Sequence, residues 1–254
     1  MQDRDDRARQ IVSLLDLTSL SGVETAGDID ALCARADGPC GRVAALCVFA
    51  RHLPRVRDNL AGRGLVGIGL ATVANFPDGG LDLGRAVRDI RTALESGATE
   101  VDLVFPYGAF LDGRTDAVRN FLESCRRECP LRLKVILESG VLGAPDVIRA
   151  AGRLALDCGA DFLKTSTGKA AVHATPEAAR AMLETIAERG GTAGFKASGG
   201  LRTMADALVY LELAEEILGA GWVGPGTFRF GASGLLDDVL AAAAGRGESC
   251  AGPV

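Results

Sequence analysis

The stretch DFLKTSTGKA, from Asp161 to Ala170, closes an apolar run with a lysine, Lys164, and reaches a second, Lys169, after Thr-Ser-Thr-Gly. A further lysine, Lys196, stands in GFKASGG, and a carboxylate, Asp102, is embedded in EVDLVFP. A charged amine in apolar surroundings is costly unless it is paired or neutral. A neutral lysine attacks carbonyls and forms a Schiff base. With a reference pKa of about 10.4, only about one amine in 2,500 is neutral at pH 7, and lowering it by roughly 3 units makes the neutral form common. A second ammonium, together with partial burial, supplies such a shift. One lysine then attacks, the other tunes it, and Asp102 moves protons with the help of a water.

The use of lysine is itself selective. Of 28 basic residues only four are lysines, Lys134, Lys164, Lys169 and Lys196, and each lies in or just after a strand-like apolar run. Arginine stays protonated in proteins whereas a lysine amine can lose its proton, so the two are not exchangeable in amine chemistry. The competing explanation is a set of buried ion pairs, Lys164 or Lys196 with Asp102 or Glu138, holding a barrel together. Any one of the three residues fits it; three at strand ends favour a site.

The elements that must position these groups alternate along the chain. Apolar residues at Leu83, Val87, Ile90 and Leu94, with Gly97 as a stop, predict a helix over 81–97. Further helices are expected near 7–17, 144–158, 175–189 and 203–215. Strands are expected at VAALCVFA, LVGIGLATV, TEVDLVFP, LRLKVILES, ADFLKTS, AGFKASGG, EEILGAG and FRFGASG. Eight strands with intervening helices in 254 residues predict an α/β chain forming a single (β/α)8 TIM barrel with an extra N-terminal helix. One domain covers 1–254, and the small, polar tail 245–254 is expected to be mobile. Functional groups of such barrels gather at the C-terminal ends of the strands. Lys164, Lys196 and Asp102 all stand late in theirs.

The glycine-rich segments SGGLRT, LGAGWVGPG and RFGASG follow the last three expected strands. Loops there and helix N-termini commonly hold phosphate, though tight turns alone also call for glycine. Three motifs fail. TSTGKA lacks the first glycine and the hydroxyl residue of a P-loop, and Gly219-x-Gly221-x-x-Gly224 runs into Pro225 where a helix should open. GASG does not match a nucleophile elbow.

A net charge of −5 and a pI near 5.2 argue against nucleic-acid or anionic-membrane binding, so any phosphate is gripped locally. The charged start MQDRDDRARQ is unlike a secretory signal, and no apolar run reaches a membrane span. Seven unclustered cysteines fit reduced thiols in the cytoplasm. With only His52 and His173 available, neither a metal site nor a cofactor is expected.

DLTSL, ATVANFP, EVDLVFPYGA, LKVILESG, ADFLKTSTGKAAVHATPE, GFKASGGLRT and RFGAS occur in this order over nearly the whole chain. Together they resemble the class I 2-deoxyribose-5-phosphate aldolase family. The resemblance implies reversible cleavage of 2-deoxy-D-ribose 5-phosphate to acetaldehyde and D-glyceraldehyde 3-phosphate by a homodimer. It matches Lys164 to the Schiff-base lysine, Lys196 to the lysine that perturbs it and Asp102 to the proton relay. Asp16, Cys47, Thr167 and Lys169 match substrate contacts, and Cys47 also reads as an ordinary small core residue. Gly168, Gly199, Gly200, Arg202, Gly231 and Ser233 match phosphate-binding stretches. The chain departs from the pattern in Ala197-Ser198, in Gly234 where a second serine often follows, and in lacking a C-terminal tyrosine. Another Schiff-base phospho-sugar aldolase, a transaldolase-like barrel, or a phospho-sugar-binding barrel without turnover are the competing functions.

Overall fold

In a computed structural model, which describes residues 2–245, eight parallel strands close into a barrel. In chain order the strands are β1 (Leu15–Ser19), β2 (Asp37–Gly38), β3 (Gly41–Arg42), β4 (Ala45–Val48), β5 (Gly69–Ala74), β6 (Glu100–Val104), β7 (Arg132–Ile136), β8 (Phe162–Lys164), β9 (Gly194–Ser198) and β10 (Phe228–Ala232). The barrel runs β1-β10-β9-β8-β7-β6-β5-β4 and closes through β4 on β1, while β2 and β3 form a separate antiparallel pair. The expected tail lies outside the described residues apart from Gly245.

Strands covered on both faces carry near-continuous apolar sequence, which is why these runs were legible. β6 and β9 are buried at every position. The outward-facing residues, such as Val101, Leu103, Leu133, Leu163 and Phe195, join one core with the surrounding helices. Helices Leu83–Glu95, Pro145–Asp157, Pro176–Glu188 and Met204–Leu218 fall where the apolar periodicity predicts them. Thr175 and Thr203 cap two of them by accepting from the backbone N–H three residues on.

Two expectations are corrected. The opening helix is Gln2–Ser13 and stops before Leu14; Leu15–Ser19, expected partly in that helix, is the first barrel strand. EEILGAG is not a strand. Its first four residues end the helix Met204–Leu218, and Ala220–Trp222 is a short 3-10 turn. One strand was therefore expected too late in the chain and one missed at its start, with the total unchanged. The phosphate role expected for LGAGWVGPG falls with it, because Pro225 and Gly226 border a cavity with Arg229 and Glu100 at the opposite, N-terminal end of the strands.

Candidate active site

Register fixes which side chains enter the barrel. Asp102 pairs with Lys134, Lys164 with Lys196, Lys196 with Arg229, and Asp16 with Gly231. Alternate residues share a face, so Glu100 lies below Asp102 and Arg132 below Lys134. The interior is divided. From β1 and β6 to β10 it carries charge, whereas β4 and β5 present Ala45, Cys47, Ala71 and Val73, with Leu20, Phe49 and Phe76 alongside. Cys47 is fully buried in that apolar sector, and burial pushes its thiol pKa up.

Asp102 is the hub. Its Oδ2 accepts from Lys164 Nζ and from Lys196 Nζ, each at 2.8 Å, and its Oδ1 accepts from Lys134 Nζ at 2.7 Å. Lys196 also donates to Asp16. Asp16 Oδ1 accepts from Arg229 at 2.5 Å, and Arg229 reaches Glu100 at 3.0 Å. Lys134 lies 2.7 Å from Glu100 and 3.6 Å from Asp16. The structure brings Lys164, Lys196 and Asp102, expected to converge, into contact, and adds Asp16, which the resemblance placed at the substrate end, through Lys196. Sequence reasoning assigned nothing to Lys134, Glu100 or Arg229, although charged residues two apart on a strand, Glu100 with Asp102 and Arg132 with Lys134, were a usable signal.

The two amines sharing Asp102 Oδ2 are not equivalent. Burial pushes the Lys164 pKa down; Asp102 opposes this, and the Lys196 ammonium adds to the lowering. Burial also disfavours charge on Lys196, but Asp102 and Asp16 outweigh it and hold that amine protonated, above its usual range. Asp102 is held well below the carboxylate range by Lys134, Lys164 and Lys196, against burial that alone would raise it. Burial is thus complete rather than partial, and it leads the neighbouring ammonium in tuning Lys164. The ion-pair explanation and the amine site describe the same contacts, except that Glu138 bonds no lysine. Its Oε2 accepts from the Thr167 hydroxyl at 2.5 Å and from the Thr167 N–H at 3.2 Å.

Above the amines a cavity of about 590 Å³ opens at the C-terminal ends of β1, β8, β9 and β10. Thr167, Gly168 and Lys169 form one wall of it; Gly199, Gly200 and Arg202 form a second; Gly231 and Ser233 form a third. Lys169 and Arg202 are exposed. Gly199 has φ +84°, and a Cβ there would sit 2.6 Å from the Ser166 hydroxyl, so the wall requires glycine twice over. Gly231 lets Lys196 pass, since a Cβ would meet its Cε at 2.8 Å. His173 was not singled out as a site residue, yet it lines this cavity with its buried Nδ1 free of protein partners. The helix Leu235–Ala243 begins directly after the Ser233-Gly234 wall, so its free backbone N–H groups favour an anion there.

Fold and site define the class: a parallel (β/α)8 barrel enzyme with buried amines beneath a pocket at the strand ends. The chain belongs to the DeoC/LacD family of aldolases, whose model matches residues 10–239. Similar solved structures include a protein of Coccidioides immitis provisionally named a deoxyribose-phosphate aldolase, 28% identical over 92% of this chain and 87% of that one, with TM-score 0.79. A deoxyribose phosphate aldolase of Aeropyrum pernix, described as a tetramer, is 25% identical over 94% and 95%, with TM-score 0.74. A Toxoplasma gondii protein with the same provisional name shares the fold at TM-score 0.88, with 22% identity over 96% of both chains.

Proposed function

We propose that this aldolase reversibly cleaves 2-deoxy-D-ribose 5-phosphate to acetaldehyde and D-glyceraldehyde 3-phosphate through a Schiff base on Lys164. The observation that carries the reading is one carboxylate oxygen shared by two buried amines, of which only Lys164 is driven toward neutrality. The Lys164 amine adds to the open-chain aldehyde, and loss of water from the carbinolamine gives an imine. Removal of the C3 hydroxyl proton then breaks the C2–C3 bond. Glyceraldehyde 3-phosphate leaves, and the two carbons held on nitrogen as an enamine take a proton at C2. Water re-adds to the resulting imine and frees acetaldehyde. Asp102, already in contact with the reacting nitrogen, relays these protons through a water, and Lys196 stays charged throughout.

Asp16, Cys47, Thr167 and Lys169 contact the substrate in this reading. Gly168, Gly199, Gly200, Arg202, Gly231 and Ser233 hold its phosphate, which the cavity walls and the adjoining helix N-terminus support. No cofactor takes part. The enzyme works as one catalytic domain in a cytoplasmic homodimer. The six described cysteines, all free and buried, support a reducing compartment, and no helix among the described residues is long and apolar enough to cross a membrane. The assembly rests on the resemblance alone, and sedimentation would replace it with a tetramer if this chain follows the Aeropyrum protein.

Borohydride reduction with acetaldehyde, followed by peptide mapping of all four lysines, tests the chemistry. An ethyl adduct confined to Lys164 is expected. Folded protein without an adduct at Lys164 overturns the mechanism.

A further inference from the structure

Three hydroxyls follow Lys164 in Thr165-Ser166-Thr167, and the structure commits the proton of each. Thr165 Oγ1 and Ser166 Oγ donate to the Ser198 carbonyl on β9, at 3.0 and 2.6 Å. Thr167 Oγ1 donates instead to Glu138 Oε2 at 2.5 Å. The same oxygen accepts the Thr167 N–H at 3.2 Å, so it meets two donors and serves both as an acceptor.

Unusual backbone brings Glu138 there. Leu137 N–H donates to the Lys164 carbonyl and Ser139 N–H to the Thr165 carbonyl, where a regular parallel ladder would advance two residues on both strands. Glu138 is the extra residue of this bulge, in the left-handed region at φ +54°. Its side chain is 1% exposed, and its Oε1 lacks a protein partner. A strained backbone and an under-satisfied buried carboxylate gain nothing for packing, and such features gather at functional sites. Among the described residues the side chain hydrogen-bonds only Thr167, on the cavity wall.

A threonine hydroxyl has one proton and two lone pairs. Glu138 takes the proton of Thr167, and the Lys169 N–H, at 3.0 Å, takes one lone pair. A single acceptor position remains for a ligand. Phosphate and carbonyl oxygens, acceptors themselves, do not suit it; a hydroxyl does. In open-chain 2-deoxyribose 5-phosphate C1 is consumed by the imine, and the C3 oxygen becomes a carbonyl on cleavage. The C4 hydroxyl alone keeps a proton to donate throughout. Along the chain Thr167 stands between Lys164 and the Gly168 wall, as C4 stands between the reacting carbons and the phosphate.

We propose that Glu138 is a positioning residue that holds the Thr167 hydroxyl proton, makes Thr167 an acceptor for the substrate C4 hydroxyl, and so selects substrates that carry one. This rests on the cleavage reaction proposed above.

The test compares kcat/KM for 2-deoxy-D-ribose 5-phosphate and for its 4-deoxy analogue in the full chain and its variants. Their ratio reports the preference, and its change between variants is independent of the ring closure that only the first substrate undergoes. Glu138→Met frees the Thr167 hydroxyl to rotate and is expected to lower the preference about 10- to 100-fold, almost wholly through the hydroxylated substrate. Thr167→Val, which deletes the acceptor, is expected to match it. In Glu138→Gln the Thr167 N–H keeps the amide oxygen turned toward it, so the hydroxyl proton is still held and most of the preference is expected to survive. An unchanged preference in folded Glu138→Met or Thr167→Val, or equal losses on both substrates, overturns the proposal. So does a preference in Glu138→Gln about tenfold or more below the parent, which decides the matter if Glu138→Met does not fold. Acetaldehyde has no C4 and is expected to be trapped on Lys164 in every folded variant. A parent protein that yields no Lys164 adduct overturns the reaction itself, and the proposal with it.

Discussion

Replacing Asp102 with asparagine separates the two tasks assigned to that carboxylate. Three lysine amines lie within 2.8 Å of its oxygens, and all are buried. At an effective dielectric of about 20, an ion pair with charges about 4 Å apart is worth about 4 kcal/mol, equivalent to about 3 pKa units. Without the negative charge Lys164 loses the one contact that holds its proton, so its pKa falls further and more of the amine is neutral at pH 7. Breaking a buried pair costs about 3–5 kcal/mol of stability, which for a domain of this size lowers Tm by roughly 6–20 °C. Loss of the proton relay lowers kcat by about 10²- to 10⁴-fold. Thermal unfolding, steady-state cleavage and borohydride trapping across pH measure the three effects separately. In Asp102→Asn protein that still folds, trapping at Lys164 is expected to persist and its midpoint to move to lower pH, while cleavage collapses. A midpoint that rises, or trapping that vanishes in parallel with turnover at every pH, would refute the reasoning.

Gly231→Ala places a methyl group 2.8 Å from Lys196 Cε and 3.0 Å from the Ser198 hydroxyl, which forces the lysine tip to move. Turnover is expected to drop about 10- to 100-fold as Lys196 loses its alignment on Asp102, with a Tm change of only a few degrees; unchanged kcat in folded protein would show that the contact does not matter. Acid sensitivity follows from Asp16, Glu100 and Asp102, which the buried cations hold below the ordinary carboxylate range. Carboxylates depressed in the fold contribute stability above their unfolded pKa, near 4, and lose it as pH falls toward the folded value. Denaturant midpoints are therefore expected to be level from pH 7 to about 5 and to decline below about 4, and a rise between pH 5 and pH 3 would contradict the pairing.

Much of the barrel was legible because a strand buried on both faces is an apolar run bounded by glycine or proline, as in TEVDLVFP. The two errors have a common cause. Leu14, Leu15 and Leu17 continue the apolar spacing of Ile11 and Val12, so β1 reads as helix. Ile217 and Leu218 before Gly219 read as a short strand, although Leu213, Ala214 and the cap at Thr203 tie them to a 15-residue helix. Lys164, Lys196 and Asp102 stood out because charge inside an apolar run is anomalous. Arg229 and Glu100 did not, because each sits at a strand start where charge is ordinary, and only closure of the barrel turns them toward Asp16. His173 lies within the ADFLKTSTGKAAVHATPE stretch but its place on the cavity wall was not legible, since it depends on the path of the loop after β8 across Gly199.

The contact between Arg229 and Asp16 joins residues 213 positions apart, across the seam where the last strand meets the first. During synthesis every other member of the ionic cluster has been made before Arg229. Until β10 docks, Asp16 and Glu100 lack their arginine, β1 and β9 present open edges, and the half-built interior has reason to remain hydrated. Closing so long a loop is slow and brings little reward until the final contacts form. A nascent chain short of residue 232 therefore presents a curved, unpaired sheet of the kind that chaperones shield. Docking of β10 and completion of the ionic cluster become a single late event.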